Sequence, residues 1–500
     1  MITELKELKK RIEEVKKYNH AISILSYDFE TVCPKKGYED EASIIDFFSN
    51  EAFKLMNSKE MKELIVSLYE KRMEVEDELD RKLIENLHKN YLKKKNITNE
   101  FDLEMNKVFS KAGISWLKAK KANDYSLFKK DLEKVVEVTK KAVLLREKRF
   151  DNIYDNMLDD CEEGILTEDL DPFFDSLKKG ILNILEKIKN SKHEIRTDFI
   201  NRKVPIHKQQ IFSDYLLKLN GFNFDKGYVG QSEHPFTTSI AKSDTRLTTH
   251  YYDDMFLSNM FSIIHEGGHG LFMQNEREID HKHYINNSVT NGMHESVSRF
   301  YENVIGRSKE YIHLIYPKFK EIFKEEFSDV SEEELYEAIN IVKPSLIRTE
   351  ADEVTYSIHI IIRYEIEKKL VNGKLTCDEV KDEWNKLYKK YLGVSPKNDS
   401  EGILQDIHWT SGFGYFPSYS LGNAYNAMYV KKISEAMDFK NEIVKGNFKK
   451  INRWMSDNIF YYANVLTPKE WIYKITNKNL TPDDYISYLE KKYSEIYRFN

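Results

Sequence analysis

Residues that staple or break a fold are scarce in this chain. Its 500 residues include 3 cysteines, 10 prolines and 19 glycines. Cys33, Cys161 and Cys377 are odd in number and far apart, which excludes a disulfide framework or a cysteine zinc knuckle and makes the cytoplasm the expected location. No window approaches the roughly 18 uninterrupted apolar residues of a membrane span. The first ten residues, Met1 to Lys10, lack the apolar stretch and cleavage site of a secretory signal. Neither sign of charge dominates: 77 basic and 83 acidic residues are well mixed, for a net charge of −6. Such a surface gives no reason to expect nucleic acid or an anionic membrane as partner.

With few breakers, helical periodicity prevails. Leu5, Leu8, Ile12 and Val15 step by three or four, as do Leu177, Ile181, Ile184 and Ile188. There is no internal repeat and no low-complexity linker. The expectation is a mainly α protein, one large helical domain over residues 1–500 built around a cleft. One region departs from this. Between about 227 and 252 lie the β-favouring pieces Phe236–Ile240 and Arg246–Tyr251, with Ser243-Asp244 in the turn between them. They predict a small antiparallel sheet, with an edge strand able to pair with an extended peptide.

That sheet precedes the most informative residues, His265-Glu266-Gly267-Gly268-His269, at the end of an apolar run from Met255. Residues four apart share a helix face, so His265 and His269 can grip one metal ion. Glu266, one position along, is placed to hold and deprotonate a water at that metal. The run is apolar on more than one face, which predicts a buried helix. Buried histidines and a buried glutamate need partners, and a metal supplies them. Two glycines in a helix interior cost about 1 kcal/mol each relative to Ala. They also allow another backbone or a ligand to come close.

A catalytic zinc takes three protein ligands and keeps one position open. Downstream candidates for the third are Glu276, Glu278, Glu295 and Glu302. The first two sit in a charged stretch that reads as solvated. Asn291-Gly292 can start a helix through Val297, Phe300 and Tyr301, which favours Glu295 over Glu302; the competing role for Glu295 is an i,i+4 ion pair with Arg299. The metal helices are thus expected between about 255 and 302.

Six ordered motifs extend the pattern: His234-Pro-Phe236, Asp244-Thr-Arg246-Leu-Thr248, the His265–His269 pentapeptide, His294-Glu-Ser296, Ile347-Arg348-Thr-Glu-Ala351-Asp352, and Gly402-Ile-Leu-Gln405-Asp406-Ile-His408-Trp409 running on to Tyr419. In order and spacing the chain resembles the carboxypeptidase Taq metallopeptidases over nearly its whole length. It departs from them near the N-terminus, where Ser26-Tyr27-Asp28 and Cys33-Pro34 stand in place of a W-D…M-P pattern. The resemblance implies a helical fold with a long, deep substrate groove and a homodimer. It also implies removal of single C-terminal residues from peptides with broad specificity, with Glu295 as third metal ligand.

On this reading His265, His269 and Glu295 hold one Zn2+ per subunit, with Co2+ or Mn2+ as alternatives. Glu266 is the general base, and His408 and Tyr419 are the candidate oxyanion donors, with Tyr415 competing. Arg348 matches the family position that binds the substrate's free carboxylate, a task suited to a planar guanidinium. Its alternative is an ion pair with Glu350 or Asp352. Arg246 is expected to anchor the turn through Asp244, and His234 to shape the groove wall. Two rival functions stand beside a metallocarboxypeptidase: a zinc oligoendopeptidase with the same ligands, and a non-catalytic peptide-binding protein with a structural metal.

Overall fold

Helical periodicity governs the structure, a computed structural model that describes residues 2–286 and 288–499. The protein is a mainly helical single domain with one small sheet. The stepped apolar positions face inward as their spacing requires. Leu8, Ile12 and Val15 are buried on the helix Ile2–Thr31, and Leu177, Ile181 and Ile184 on Thr167–Asn190. Among the described residues no helix is long and apolar enough to cross a membrane.

Two apolar cores result. The large one runs from about Ala112 to Tyr497 and surrounds the helices that carry the motifs. A small one gathers Leu8, Ile12, Met61, Ile65, Leu68, Leu83 and Ile84 from the N-terminal helices around Ile285. The N-terminal helix reaches back to the sheet, where Tyr27 packs edge-on against Tyr228 and Phe236 and the Arg246 guanidinium lies 5.3 Å from the Tyr27 ring centre.

The sheet falls inside the expected region but differs in direction. Its strands are β1 (Gly227–Gln231), β2 (Thr237–Ala241) and β3 (Asp244–Thr249), in the order β1-β3-β2. β2 and β3 form the expected antiparallel hairpin, whereas β1 pairs with β3 in parallel. The expectation of an all-antiparallel sheet is therefore corrected. The chain reverses once between β1 and β2 and again between β2 and β3, so β1 and β3 run the same way. β1 then takes the free edge of β3 rather than pairing with β2. Arg246 forks onto Asp244 at 3.0 and 2.8 Å, as anticipated.

Three helices frame the site. The helix Phe256–Asn275 carries the pentapeptide, and buries Phe256, Met260, Ile263, Ile264, Leu271 and Phe272 on more than one side. The helix Asn291–Arg299 begins at the predicted residue and passes into a π turn over Phe300–Ile305, which no sequence pattern announced. It packs against both Phe256–Asn275 and Pro417–Ala436. Glycines set both approaches. A Cβ on Gly268 would meet Ser298 Cα at 2.8 Å, and one on Gly422 would meet Glu295 Cγ at 3.0 Å. The glycine pair that weakens the pentapeptide helix locally is what lets the Glu295 helix lie beside it.

Candidate metal centre

His265, His269 and Glu295 come together with their ligand atoms within 4.8 Å of one another. Glu295 Oε2 lies 3.7 Å from His265 Nε2 and 3.4 Å from His269 Nε2. Ligands at the usual zinc distance in a tetrahedral shell are separated by about 3.3–3.4 Å, so the spacing of the carboxylate oxygen from each imidazole is close to what one ion requires. The donor chemistry fits as well: two imidazoles and one carboxylate, with a fourth position left open.

Each of these three side chains is held from behind. His265 Nδ1 donates to Glu302 Oε2 at 2.8 Å, and His269 Nδ1 meets His294 Nδ1 at 2.6 Å. Burial pushes the His294 imidazole down to about 3, reinforced by His269, so the ring is neutral and can share one hydrogen with His269 across that contact. Burial alone would lower His265, but the Glu295 and Glu302 carboxylates carry it up to about 9, as expected where a cation is wanted. Burial raises the Glu295 carboxyl, yet His265 and Arg299 outweigh it and hold the group well below the usual carboxylate range. Its other oxygen accepts from Arg299 Nε at 2.8 Å. Both roles weighed for Glu295, ligand and i,i+4 partner of Arg299, are thus compatible, one on each oxygen.

Glu302, considered as a rival ligand, sits in the π turn behind His265 and is also reached by Arg299 at 3.2 Å and Arg307 at 3.6 Å. A carboxylate on the far nitrogen of a metal-binding histidine fixes its tautomer and ring orientation. Glu276 pairs with His281 instead. Glu266 is buried, and its Oε2 accepts from the Thr237 hydroxyl at 2.6 Å, so edge strand β2 reaches the predicted base directly. Farther back, buried Glu162 accepts from the backbone N–H of Gly292 and from Thr290 Oγ1, capping the Glu295 helix, and burial pushes it up to about 7. The sequence offers Glu302 only as a ligand, not as a support for one. It assigns no role to His294, Thr237 and Glu162, and of these only His294, next to Glu295, carries a local signal.

Beside the metal centre lies a second polar cluster. The Tyr356 ring sits 4.2 Å from the Arg299 guanidinium, and Tyr356 Oη accepts from Arg348 Nη1 at 3.3 Å. Arg348 is buried, with Phe416 and Tyr419 rings 5.2 and 5.1 Å from its guanidinium carbon. Its ion pair is with Asp406, Nε to Oδ2 at 2.6 Å, and not with Glu350 or Asp352. Asp352 instead accepts from Val354, Thr355 and Lys343. Asp406 also accepts from His408 Nδ1. The His408 ring is parallel to Tyr415 at 5.9 Å between centres, and Tyr415 meets Tyr419 edge-on at 5.1 Å. Burial pushes the Tyr415 hydroxyl up to about 12, helped by the Glu295 charge, and pushes Tyr419 well above its ordinary value. Both stay neutral O–H donors near pH 7. Tyr415 is 36% exposed, whereas Tyr419 lies against Arg348. His234 lies outside this assembly, exposed in the segment between β1 and β2.

The sequence model of the carboxypeptidase Taq (M32) metallopeptidases matches residues 7–493. Carboxypeptidase 1 of Bacillus subtilis is 36% identical, over 98% of this chain and 98% of its own length. Thermostable carboxypeptidase 1 of Thermus thermophilus is 32% identical, over 95% of each chain. The crystal structure of an M32 carboxypeptidase from Deinococcus radiodurans R1 superposes with a TM-score of 0.95 at 27% identity, covering 99% of this chain and 100% of that one.

Proposed function

The chain belongs to the carboxypeptidase Taq (M32) metallopeptidases and is a metal-dependent carboxypeptidase acting on peptides, and from that premise we propose how its residues divide the work. His265 and His269 through Nε2 and Glu295 through Oε2 hold a single ion per subunit, which we take to be Zn2+, with Co2+ or Mn2+ able to serve at the same donors. Bound there, the metal would polarise the scissile carbonyl and acidify a water at its open position.

Glu266 takes the proton of the attacking water and delivers it to the leaving amine. Thr237 ties one of its oxygens and leaves the other for that transfer. The oxyanion is met by O–H and N–H donors. To that task we assign Tyr415, which is more exposed than Tyr419, and the imidazolium form of His408, which keeps Nδ1–H on Asp406 and presents Nε2–H. Tyr419, covering the face of Arg348, serves that guanidinium more than the oxyanion. Arg348 binds the free C-terminal carboxylate with the edge of its fork that Asp406 leaves open. β2, at the edge of the sheet, offers its backbone to the rest of the peptide. The proposal includes a homodimer, on the strength of the family, and a cytoplasmic location, on the strength of three unpaired cysteines.

One observation carries the reading: the two Nε2 atoms and one carboxylate oxygen converge while the opposite nitrogens are already engaged. Mass spectrometry of a mixed peptide pool, with and without chelator, tests it. Successive loss of single C-terminal residues is expected, abolished by chelator and absent on C-terminally amidated peptides. Equal cleavage of amidated peptides at internal bonds would make the protein an oligoendopeptidase.

A further inference from the structure

We propose that Asp406 is a positioning residue that couples recognition of the peptide's terminal carboxylate to polarisation of the scissile carbonyl. It does so by holding Arg348 with one oxygen and His408 with the other. The inference rests on the proposed roles of those two residues.

Asp406 Oδ2 accepts from Arg348 Nε at 2.6 Å, while Oδ1 accepts from His408 Nδ1 and from the His408 backbone N–H at 3.2 Å. The carboxylate is buried, so both charge-assisted bonds are shielded from water. Burial raises its carboxyl, but the His408 hydrogen bond and the Arg348 charge hold it well below the usual range, so it stays ionised. The preceding residue reinforces the grip. Gln405 Oε1 accepts from the Arg348 backbone N–H at 2.9 Å, and Gln405 Nε2 donates to Leu346 O at 2.7 Å. With Phe416 and Tyr419 against the guanidinium, Arg348 has little freedom to rotate, and its outer Nη edge is fixed in direction. His408 is held in turn by Asp406 and flanked by Tyr415 and Phe416, with Nε2 as its free nitrogen, which donates to a carbonyl when the ring is an imidazolium paired with Asp406.

The substrate supplies the reason for a shared carboxylate. In a carboxypeptidase substrate the scissile carbonyl and the terminal carboxylate are separated by one residue, about 3.3–3.6 Å of chain. One rigid carboxylate can therefore register the groups that meet both ends of that residue. Where Arg348 meets a carboxylate, His408 is set against the carbonyl; where it meets an amide, the register is lost.

Asp406→Asn tests the coupling, because the amide removes the charge and offers one acceptor oxygen where Arg348 Nε and the His408 backbone N–H, both obligate donors, each need one. Steady-state kinetics on one peptide, metal content and the thermal midpoint are measured together. D406N is expected to lower kcat and raise KM, each by about tenfold or more, with metal content and midpoint unchanged. The effects of R348K and H408Q on kcat/KM, non-additive by about tenfold in the parent, are expected to become additive in the D406N background. A change in KM alone or in kcat alone, or non-additivity that survives in D406N, overturns the coupling. If R348K leaves KM unchanged and amidated peptide is cleaved as well as the free acid, the reading of Arg348 fails instead. Should D406N not fold, D406E, which keeps the charge but displaces it by a methylene, is judged by the same criteria.

Discussion

Two clusters in this protein are built from the same kinds of residue, and only one is fit for a metal. His265, His269 and Glu295 form the first; Asp77, Asp80 and His283 form the second, its ligand atoms also within 4.8 Å of one another. The difference lies in what is already satisfied. In the first, both Nδ1 atoms are engaged behind the rings and one Glu295 oxygen by Arg299, while the two Nε2 atoms and Oε2 face one another. Among the described residues the Ser298 hydroxyl also donates to Oε2, at 3.1 Å. In the second, Asp77 Oδ1 caps a helix, accepting from the backbone of Leu79 and Asp80 at 2.9 and 3.0 Å. Asp80 Oδ1 is met by His283 Nδ1 at 2.6 Å and by the Lys9 ammonium at 2.5 Å. An ammonium already occupies the place a cation would take. Residue type and proximity nominate a metal site; donor atoms left facing each other make one.

The comparison is broken most directly by His269→Ala against His283→Ala. H269A is expected to lose the metal and at least about 1,000-fold in kcat/KM, because the ion supplies several kcal/mol of charge stabilisation. H283A should keep both within about twofold, since substitutions away from a site act through stability. Elemental analysis after dialysis, alongside peptide hydrolysis, reads both, and a chelator should reproduce H269A in the parent protein. Loss of metal from H283A would mean that the second cluster also holds an ion.

Glu302→Gln probes the support behind the ligands. The amide keeps the side chain's size but removes the charge on His265 Nδ1, and leaves Arg299 and Arg307 short of a partner. Metal affinity is expected to fall about 10- to 100-fold, the usual cost of losing such a partner. Competition with a chromophoric chelator measures it. An unchanged affinity would reduce Glu302 to a simple ion-pair residue.

Those two substitutions also mark where the sequence was legible. The pentapeptide places the two proposed histidine ligands and the proposed base on one helical turn, so local periodicity alone assembled them. Glu295 could be nominated because its helix begins where Asn291-Gly292 said it should. Glu302 could be seen only as a rival, because a sequence shows a carboxylate but not which nitrogen of His265 it faces. The π turn that carries it leaves no mark in apolar spacing. Asp406 was visible within a motif, yet its partner Arg348 comes from a distant segment, and the nearer acids Glu350 and Asp352 were the natural guesses. Thr237 escaped notice for the same reason, since its role exists only once β2 is laid against the pentapeptide helix. The direction of β1 depends on which edge of β3 it occupies, a tertiary choice that strand propensity does not encode.

The smallest effect is expected from Asp80→Asn. Asp80 joins Lys9 of the N-terminal helix to His283, next to Ile285 of the small core, so the change weakens the tie between that core and the segment leading to the Glu295 helix. Asp80 is nearly buried, but the Lys9 side chain is 27% exposed, which places the pair between two regimes. Exposed pairs contribute about 0–1 kcal/mol, and breaking a fully buried one costs about 3–5 kcal/mol. A loss of about 1–2 kcal/mol follows, read from urea unfolding at constant metal concentration. Metal affinity and kcat should not move, because no atom of the second cluster touches the first. If D80N instead weakened metal binding with little loss of stability, the tie through residues 283–285 would be setting the position of Glu295. The two clusters would then be one device rather than a site and a brace.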